Sequence, residues 1–509
     1  MDATDRRIRD VVIVGGGTAG WMAAAALVQH YRSTPLQITV VESSEIGTIG
    51  VGEATIPTIR RFYANLGMSD ADVMRATQAS CKLGIRFQGW SGEDSDFIHP
   101  FGLYGQDLNG VGFHHYWLKA HGEGDATPVG AYSLGAALAE GGRFTLPSRN
   151  PPSPMSVFDW ALHLDASLFA QHLRRFAEAS GCVRIDARVE AVLTRPDGYI
   201  AALKLADGRE IAGDLFIDCT GFRALLIGQT MGVGYEDWGD WLPCDAALAV
   251  QTENAEDEPP QPFTRVTARR AGWQWGIPLR HRAGNGYVYS SRHISEDEAT
   301  AELMANLPGR PLMEPRRIPF RPGRRARAWE KNCVALGLAS GFLEPLESTS
   351  IALIETGIER LKQLFPDRRF LQPAIDEFND QSAREMERVR DFIILHYRLN
   401  GRDDPFWSEC RDRPVPETLA RKMALWTTRG EFIRYRWEMF HPASWLAIYS
   451  GMGCLPADYD PAVDAIDAEY LRRSLGQMRT AVSDMVARTP THAAFLAELD
   501  TPTQTDPAR

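Results

Sequence analysis

Three glycines near the start of the chain stand at a spacing that suits a phosphate. In VVIVGGGTAGWMAAAALVQH a β-branched run leads into Gly15, Gly17 and Gly20, with Thr18 and Ala19 inside the turn, and an Ala-rich helical pattern follows. Glycine lets backbone approach a pyrophosphate closely, and a helix N-terminus offers it unpaired N–H groups. The next apolar run, ITVVES, ends at Glu42, where a carboxylate can accept a ribose hydroxyl. Strand, tight turn, helix, strand and acid predict a dinucleotide site.

Two distant stretches favour FAD over NAD. DLFIDCTGFRALL ends an apolar run at Asp218-Cys219-Thr220-Gly221, and KNCVALGLASGF places Gly337 after another. Such segments rebuild one sheet around FAD in two-domain flavoproteins; a plain NAD enzyme would leave them unexplained. Between them, VRIDARVEAVLTRPDGYIAALKLADGREIAG reads as alternating strands joined by Asp-Gly turns, an inserted antiparallel sheet.

Other residues stand out against their surroundings. Lys82 interrupts the strand-like alternation of Leu83, Ile85 and Phe87, so it is either a strand-edge surface lysine or something special. Trp273 and Trp275 flank one residue in WQWGIP; packing alone would explain two rings on one strand face. Ser348 and Thr349 precede the helical pattern from Ile351, which is an N-cap signature. Helix starts also attract anions.

Composition narrows the class. The chain has 509 residues, 44% hydrophobic, with a formal charge of -11, which argues against a nucleic-acid partner. Seven cysteines with no CxxC suggest neither a disulfide framework nor a metal site. No signal peptide or apolar membrane span is evident, so a cytoplasmic location is expected.

The motifs GGGTAGW (15–21), GVGEATIPTI (50–59), KLGIRF (82–87), HPFG (99–102), WQWGIP (273–278) and LEPLEST (343–349) occur in this order. Together they make the chain resemble the flavin-dependent halogenases of the tryptophan-halogenase family. The resemblance implies an α/β, Rossmann-type, monooxygenase-like FAD-binding body over 1–360. Residues 88–150 would form loops over a substrate pocket, and a mainly helical region over 361–509 would complete it. Reduced FAD, bound by Gly15, Gly17, Thr18, Ala19, Gly20, Glu42, Gly52, Glu53, Ala54, Gly337 and Leu346, would come from a separate NADH-dependent flavin reductase. Chloride or bromide would sit by Thr349 and Ser350. Hypohalous acid would pass a wall of Trp273, Trp275 and Ser348 to reach Lys82, whose burial favours a neutral amine. Glu347 would stabilise the cationic ring intermediate and aid proton loss. His99, Phe101 and, by count from the glycine-rich SGMG, Phe440 would hold the arene.

Two departures from the family are visible. Ser350 stands where the family usually has glycine; if that position needs φ > 0, serine is strained there by about 1 kcal/mol or more. Thr428, Arg429 and Tyr435 replace a Tyr-Tyr pair and a glutamate that grip free tryptophan, which points to indole or an indole derivative. The alternatives are an FAD-dependent aromatic monooxygenase, which needs no Lys82–Glu347 pair, and a non-enzymatic flavin binder, which has no use for either residue. The resemblance is compatible with a homodimer.

Overall fold

The computed structural model describes residues 5–45, 52–255 and 259–500. Gly50 and Val51 of the GVGEA motif lie outside these. The chain forms two compact units, each built from three stretches. One comprises Met1–Thr77, Leu164–Ala246 and Pro319–Arg390; the other comprises Gln78–His163, Ala247–Ile318 and Asp391–Arg509.

The first unit is built on a six-stranded sheet, ordered Trp329–Glu330, Cys333–Ala335, Leu215–Asp218, Asp10–Val14, Gln37–Glu42 and Val183–Asp186. All neighbours pair in parallel except the first two. Parallel strands covered on both faces need unbroken apolar runs, and Val11, Val12 and Ile13 are fully buried. Helices Thr18–His30 and Ala166–Ala179 pack together. Asp165 caps the second by accepting N–H bonds from Ser167 and Leu168.

The expected antiparallel insertion forms from Val189–Thr194, Ile200–Leu205 and Glu210–Ala212. Its turns use Gly198 at φ 79 and Gly208 at φ 88. The first strand of that stretch, Val183–Asp186, instead joins the main sheet, where it satisfies the edge of Gln37–Glu42.

In the second unit, Ala283–Tyr289, Gly272–Pro278, Thr264–Arg269, Gly84–Gln88 and Asp96–Pro100 are consecutive neighbours in a seven-stranded sheet. The stretch 88–150, expected as loops, is more ordered than its glycines suggested. It contains strand Asp96–Pro100 and helices Phe113–Gly122 and Leu134–Glu140. Phe113, Tyr116, Trp117 and Ala120 fall on one helical face and are buried, which offsets the local flexibility.

The C-terminal region is helical as expected: Pro405–Asp412, Glu417–Arg429, Pro442–Gly451, Ala468–Arg488 and His492–Asp500. The fourth buries Leu471, Leu475, Met478 and Val482 at helical spacing. Among the described residues no helix is long and apolar enough to cross a membrane, and no group of metal-ligating side chains assembles. All seven cysteines are free.

Candidate active site

In the first unit, three glycine-bearing turns follow adjacent strands of the parallel sheet. Gly15 follows Asp10–Val14 with φ 109, Gly221 follows Leu215–Asp218 with φ 67, and Gly337 follows Cys333–Ala335 with φ 62. These are conformations that only glycine adopts freely. A side chain at Gly15 would lie 2.3 Å from the Cys219 carbonyl oxygen, and one at Gly20 would lie 1.8 Å from that of Gly15. Before Gly17, by contrast, a side chain would meet only open space. Gly17 is the N-cap of Thr18–His30 and offers the helix's first N–H groups no side-chain cap. A cradle with close backbone at Gly15 and Gly20 and room before Gly17 fits a dinucleotide pyrophosphate.

Carboxylates organise this end of the sheet, with Asp218 buried and Glu42 and Glu53 half-buried. Asp218 accepts from the N–H groups of Thr220, Leu226 and Ile227 and from the Thr220 hydroxyl, at 2.7–2.9 Å. It thereby fixes the turn after its strand. Glu42 accepts from Arg184 Nε at 2.5 Å and from Trp21 Nε1 at 3.4 Å; its position across from Gly16 requires the missing side chain there. Glu53 lies in strand Gly52–Ala54, and burial pushes its carboxyl up to about 7. Gly337 packs against Ala19.

After that glycine the chain reaches Pro345–Glu347, a single tight turn, and then helix Ser350–Gln363. Leu346, Glu347, Ser348 and Thr349 are buried. The positive φ of this motif falls at Ser348, at 59°, while Ser350 is the first residue of the helix. The strain foreseen at Ser350 is therefore absent, since the left-handed residue comes two positions earlier. Thr349 occupies the N-cap but makes no side-chain cap bond, so the capping foreseen at Thr349 does not form.

In the second unit, Lys82 is 0% exposed. It ends strand Ser80–Lys82, opposite Ala161, and its Nζ lies 5.1 Å from the Phe101 ring centroid. Of the two readings of the lone lysine, the surface one fails. Backbone on both sides is pinned: Cys81 N–H donates to His492 Nε2 at 3.1 Å and Leu83 N–H to the Pro262 carbonyl at 2.7 Å. The Pro260 carbonyl at 2.6 Å places the proton of His492 on Nδ1, and burial lowers its pKa to about 4.

His163 lies near Lys82. Ser80 Oγ donates to Pro278 and so accepts from His163 Nδ1–H; His163 Nε2 then accepts from Thr264 Oγ1, both at 3.0 Å. Burial holds this imidazole neutral, with a pKa well below the usual range. Both of its nitrogens are occupied, so it fixes the strand and is not free as a base.

Trp273 and Trp275 lie on one face of Gly272–Pro278, with ring centroids 6.1 Å apart. Gly286 on the neighbouring strand makes room for Trp275: a side chain there would lie 2.1 Å from the indole. The aromatic group predicted from HPFG and Phe440 gains a member, because Phe392 stacks on Phe440 at 3.9 Å. His99 lies 5.9 Å from Phe392 and 6.4 Å from Phe440. Phe392 sits in the apolar run FIILHY, where nothing in the sequence marks it as special. His163 was findable, since in ALHLD it interrupts an apolar strand just as Lys82 does.

The sequence pattern of the tryptophan halogenase family matches residues 10–468. Among curated relatives, the 7-chloro-L-tryptophan 6-halogenase KtzR of Kutzneria sp. (strain 744) is 35% identical, over 96% of this chain and 99% of its own. Among solved structures, BrvH, a flavin-dependent halogenase from Brevundimonas sp. BAL3, superposes with a TM-score of 0.95 at 73% identity, covering 97% of this chain and all of its own. Xcc4156, a flavin-dependent halogenase from Xanthomonas campestris, gives 0.93 at 49% identity over 97% and 99%. With the family's pattern spanning most of its length, and relatives this similar over nearly all of it, the chain belongs to the tryptophan-halogenase family and is an oxidoreductase of the flavin-dependent halogenase type.

Proposed function

We propose that the enzyme uses reduced FAD, dioxygen and chloride or bromide to halogenate an electron-rich arene, indole or an indole derivative, and that free tryptophan is not its substrate. When bound, reduced FAD would supply the electrons that bring dioxygen to the peroxide level, the oxidant that turns halide into hypohalous acid. The observation that carries the reading is the fully buried Lys82 amine against the Phe101 ring. In this reading Lys82 holds the electrophilic halogen for the arene. Phe101, His99 and Phe440 present the ring, Glu347 takes its proton, Thr349 and Ser350 hold halide, and Trp273, Trp275 and Ser348 keep arene from the flavin.

Relatives named as tryptophan 6- and 7-halogenases bear on the substrate. Here the positions of the amino-acid anchor look unsuited to it. Thr428 and Arg429 are exposed, and the Thr428 hydroxyl donates to the Ala424 carbonyl at 2.7 Å. The Tyr435 ring lies 4.9 Å from the Lys422 amine. Charge-assisted contacts to an amino acid are worth about 1.5–3 kcal/mol each, so their loss should favour indole over L-tryptophan by roughly tenfold or more in kcat/KM. Steady-state rates on the two substrates test this, and tryptophan preferred tenfold would refute it.

The test of the whole reading is product mass spectrometry on an arene panel with a flavin reductase, NADH and either halide. Products should carry the added halide. Hydroxylated, halide-independent products would establish an aromatic monooxygenase instead. Without the reductase, the purified protein should not consume NADH, because the chain carries one dinucleotide fingerprint, at Gly15–Gly20. Efficient NADH oxidation by the enzyme alone would contradict a separate partner.

A further inference from the structure

Residues 430–441 link helices Glu417–Arg429 and Pro442–Gly451 without regular structure and carry Phe440. This link encloses a buried ion pair. Lys422 Nζ lies 2.6 Å from Glu438 Oε1, with the two side chains 7% and 4% exposed. The same amine donates to the Ile433 carbonyl at 2.6 Å and lies 4.2 Å from the Trp445 ring centroid. The second oxygen of Glu438 accepts the Tyr435 N–H at 3.1 Å. Trp445 meets Phe392 edge-on at 5.0 Å, and Phe392 carries Phe440. At the start of the link, the Gly430 carbonyl accepts from His114 Nε2 at 2.9 Å. Within it, Trp437 is held at φ 69, a conformation costly for a bulky residue.

A desolvated ion pair is a poor source of stability: apolar residues of similar volume usually do as well or better. Its distinctive property is direction. An amine bound to one carboxylate, one carbonyl and two ring faces admits one arrangement of the link, where greasy packing admits several. We propose that Lys422 and Glu438 are positioning residues for halogenation: their ion pair fixes residues 430–441 so that Phe440 rests on Phe392 beside His99 and receives the arene. This rests on the function proposed above.

The test compares wild type, Lys422→Met/Glu438→Leu, Phe440→Ala and the triple variant. Arene kcat and KM are measured at saturating reduced FAD and bromide, with escaping hypohalous acid captured by a small scavenger. The single variants Lys422→Met and Glu438→Gln each strand a buried charge, so the paired apolar variant is the informative one. It should melt no lower than wild type and titrate FAD normally. Its arene KM should rise about tenfold with a smaller change in kcat, the pattern of a misplaced binding group. More hypohalous acid should escape. In the Phe440→Ala background the paired substitution should add nothing to KM, because both act through one ring. A paired variant with wild-type KM, or effects that multiply in full in that background, overturns the proposal alone. Wild type that yields no halogenated arene from any panel member overturns the function and the proposal with it.

Discussion

Replacing Lys82 with alanine or methionine should abolish halogenated product while leaving FAD binding intact. The expected loss is roughly 10³-fold or more, the scale on which removal of a group that reacts with substrate is felt. Gly15, Gly17, Gly20 and Gly337, expected at the cofactor, belong to the first unit, and Lys82 belongs to the second. Its strand is pinned by backbone bonds to His492 and Pro262, which do not involve its side chain. Methionine keeps most of the buried volume and removes the amine, so a loss shared by both variants cannot be a cavity effect. Arginine should be inactive as well, since its guanidinium keeps its proton. Flavin titration and product mass spectrometry on the same preparations check this. Retained turnover in any of the three would remove Lys82 from the chemistry.

Glu347→Gln should slow halogenation by about 10²-fold or more, the contribution of a positioned acid–base group. Glu347 is buried in the turn Pro345–Glu347, just before the left-handed Ser348. Glutamine fills the same space and can still hydrogen-bond, so the turn should survive while the negative charge is lost. A carboxylate that accepts the ring proton predicts a second signature. Proton loss becomes slower relative to halogen attachment, so within the variant an arene deuterated at the reacting carbon should turn over measurably more slowly than the unlabelled arene, a larger isotope effect than in wild type. An unchanged kcat with no isotope effect would reduce Glu347 to a packing residue.

Much of this was visible in the chain because some residue types have few uses. Glycines at a strand–helix junction, an acid at the end of the next strand and a lysine within an apolar alternation each violate a local preference; the structure puts Gly15 and Gly20 at close backbone approaches, Glu42 against Arg184 and Trp21, and Lys82 in the interior. The shortfalls have physical causes too. FHHYWLKAHG carries a helical apolar face, but its flanking glycines and histidines suggested loops over 88–150. The left-handed residue in LEPLESTS is Ser348, not Ser350, which already belongs to the helix, and composition does not fix that register. Phe392 and the Lys422–Glu438 pair were hidden for another reason. Phe392 meets Phe440 only through the fold, and the Lys422–Glu438 pair closes across an irregular link that no periodicity marks.

The interleaving of the two units has a consequence for how the enzyme can be made and divided. Strand Cys333–Ala335 completes the first parallel sheet beside Leu215–Asp218, so the ribosome must release over half of the chain before that sheet closes. The second unit waits longer, since its own residues resume only at Asp391. Early in synthesis, each nascent piece exposes strand edges whose partners do not yet exist, which invites aggregation and a dependence on chaperones or slow, cool expression. It also means that no single cut yields two self-sufficient halves. Shortening the enzyme, or grafting its second unit onto another protein, would require moving three stretches of chain at once.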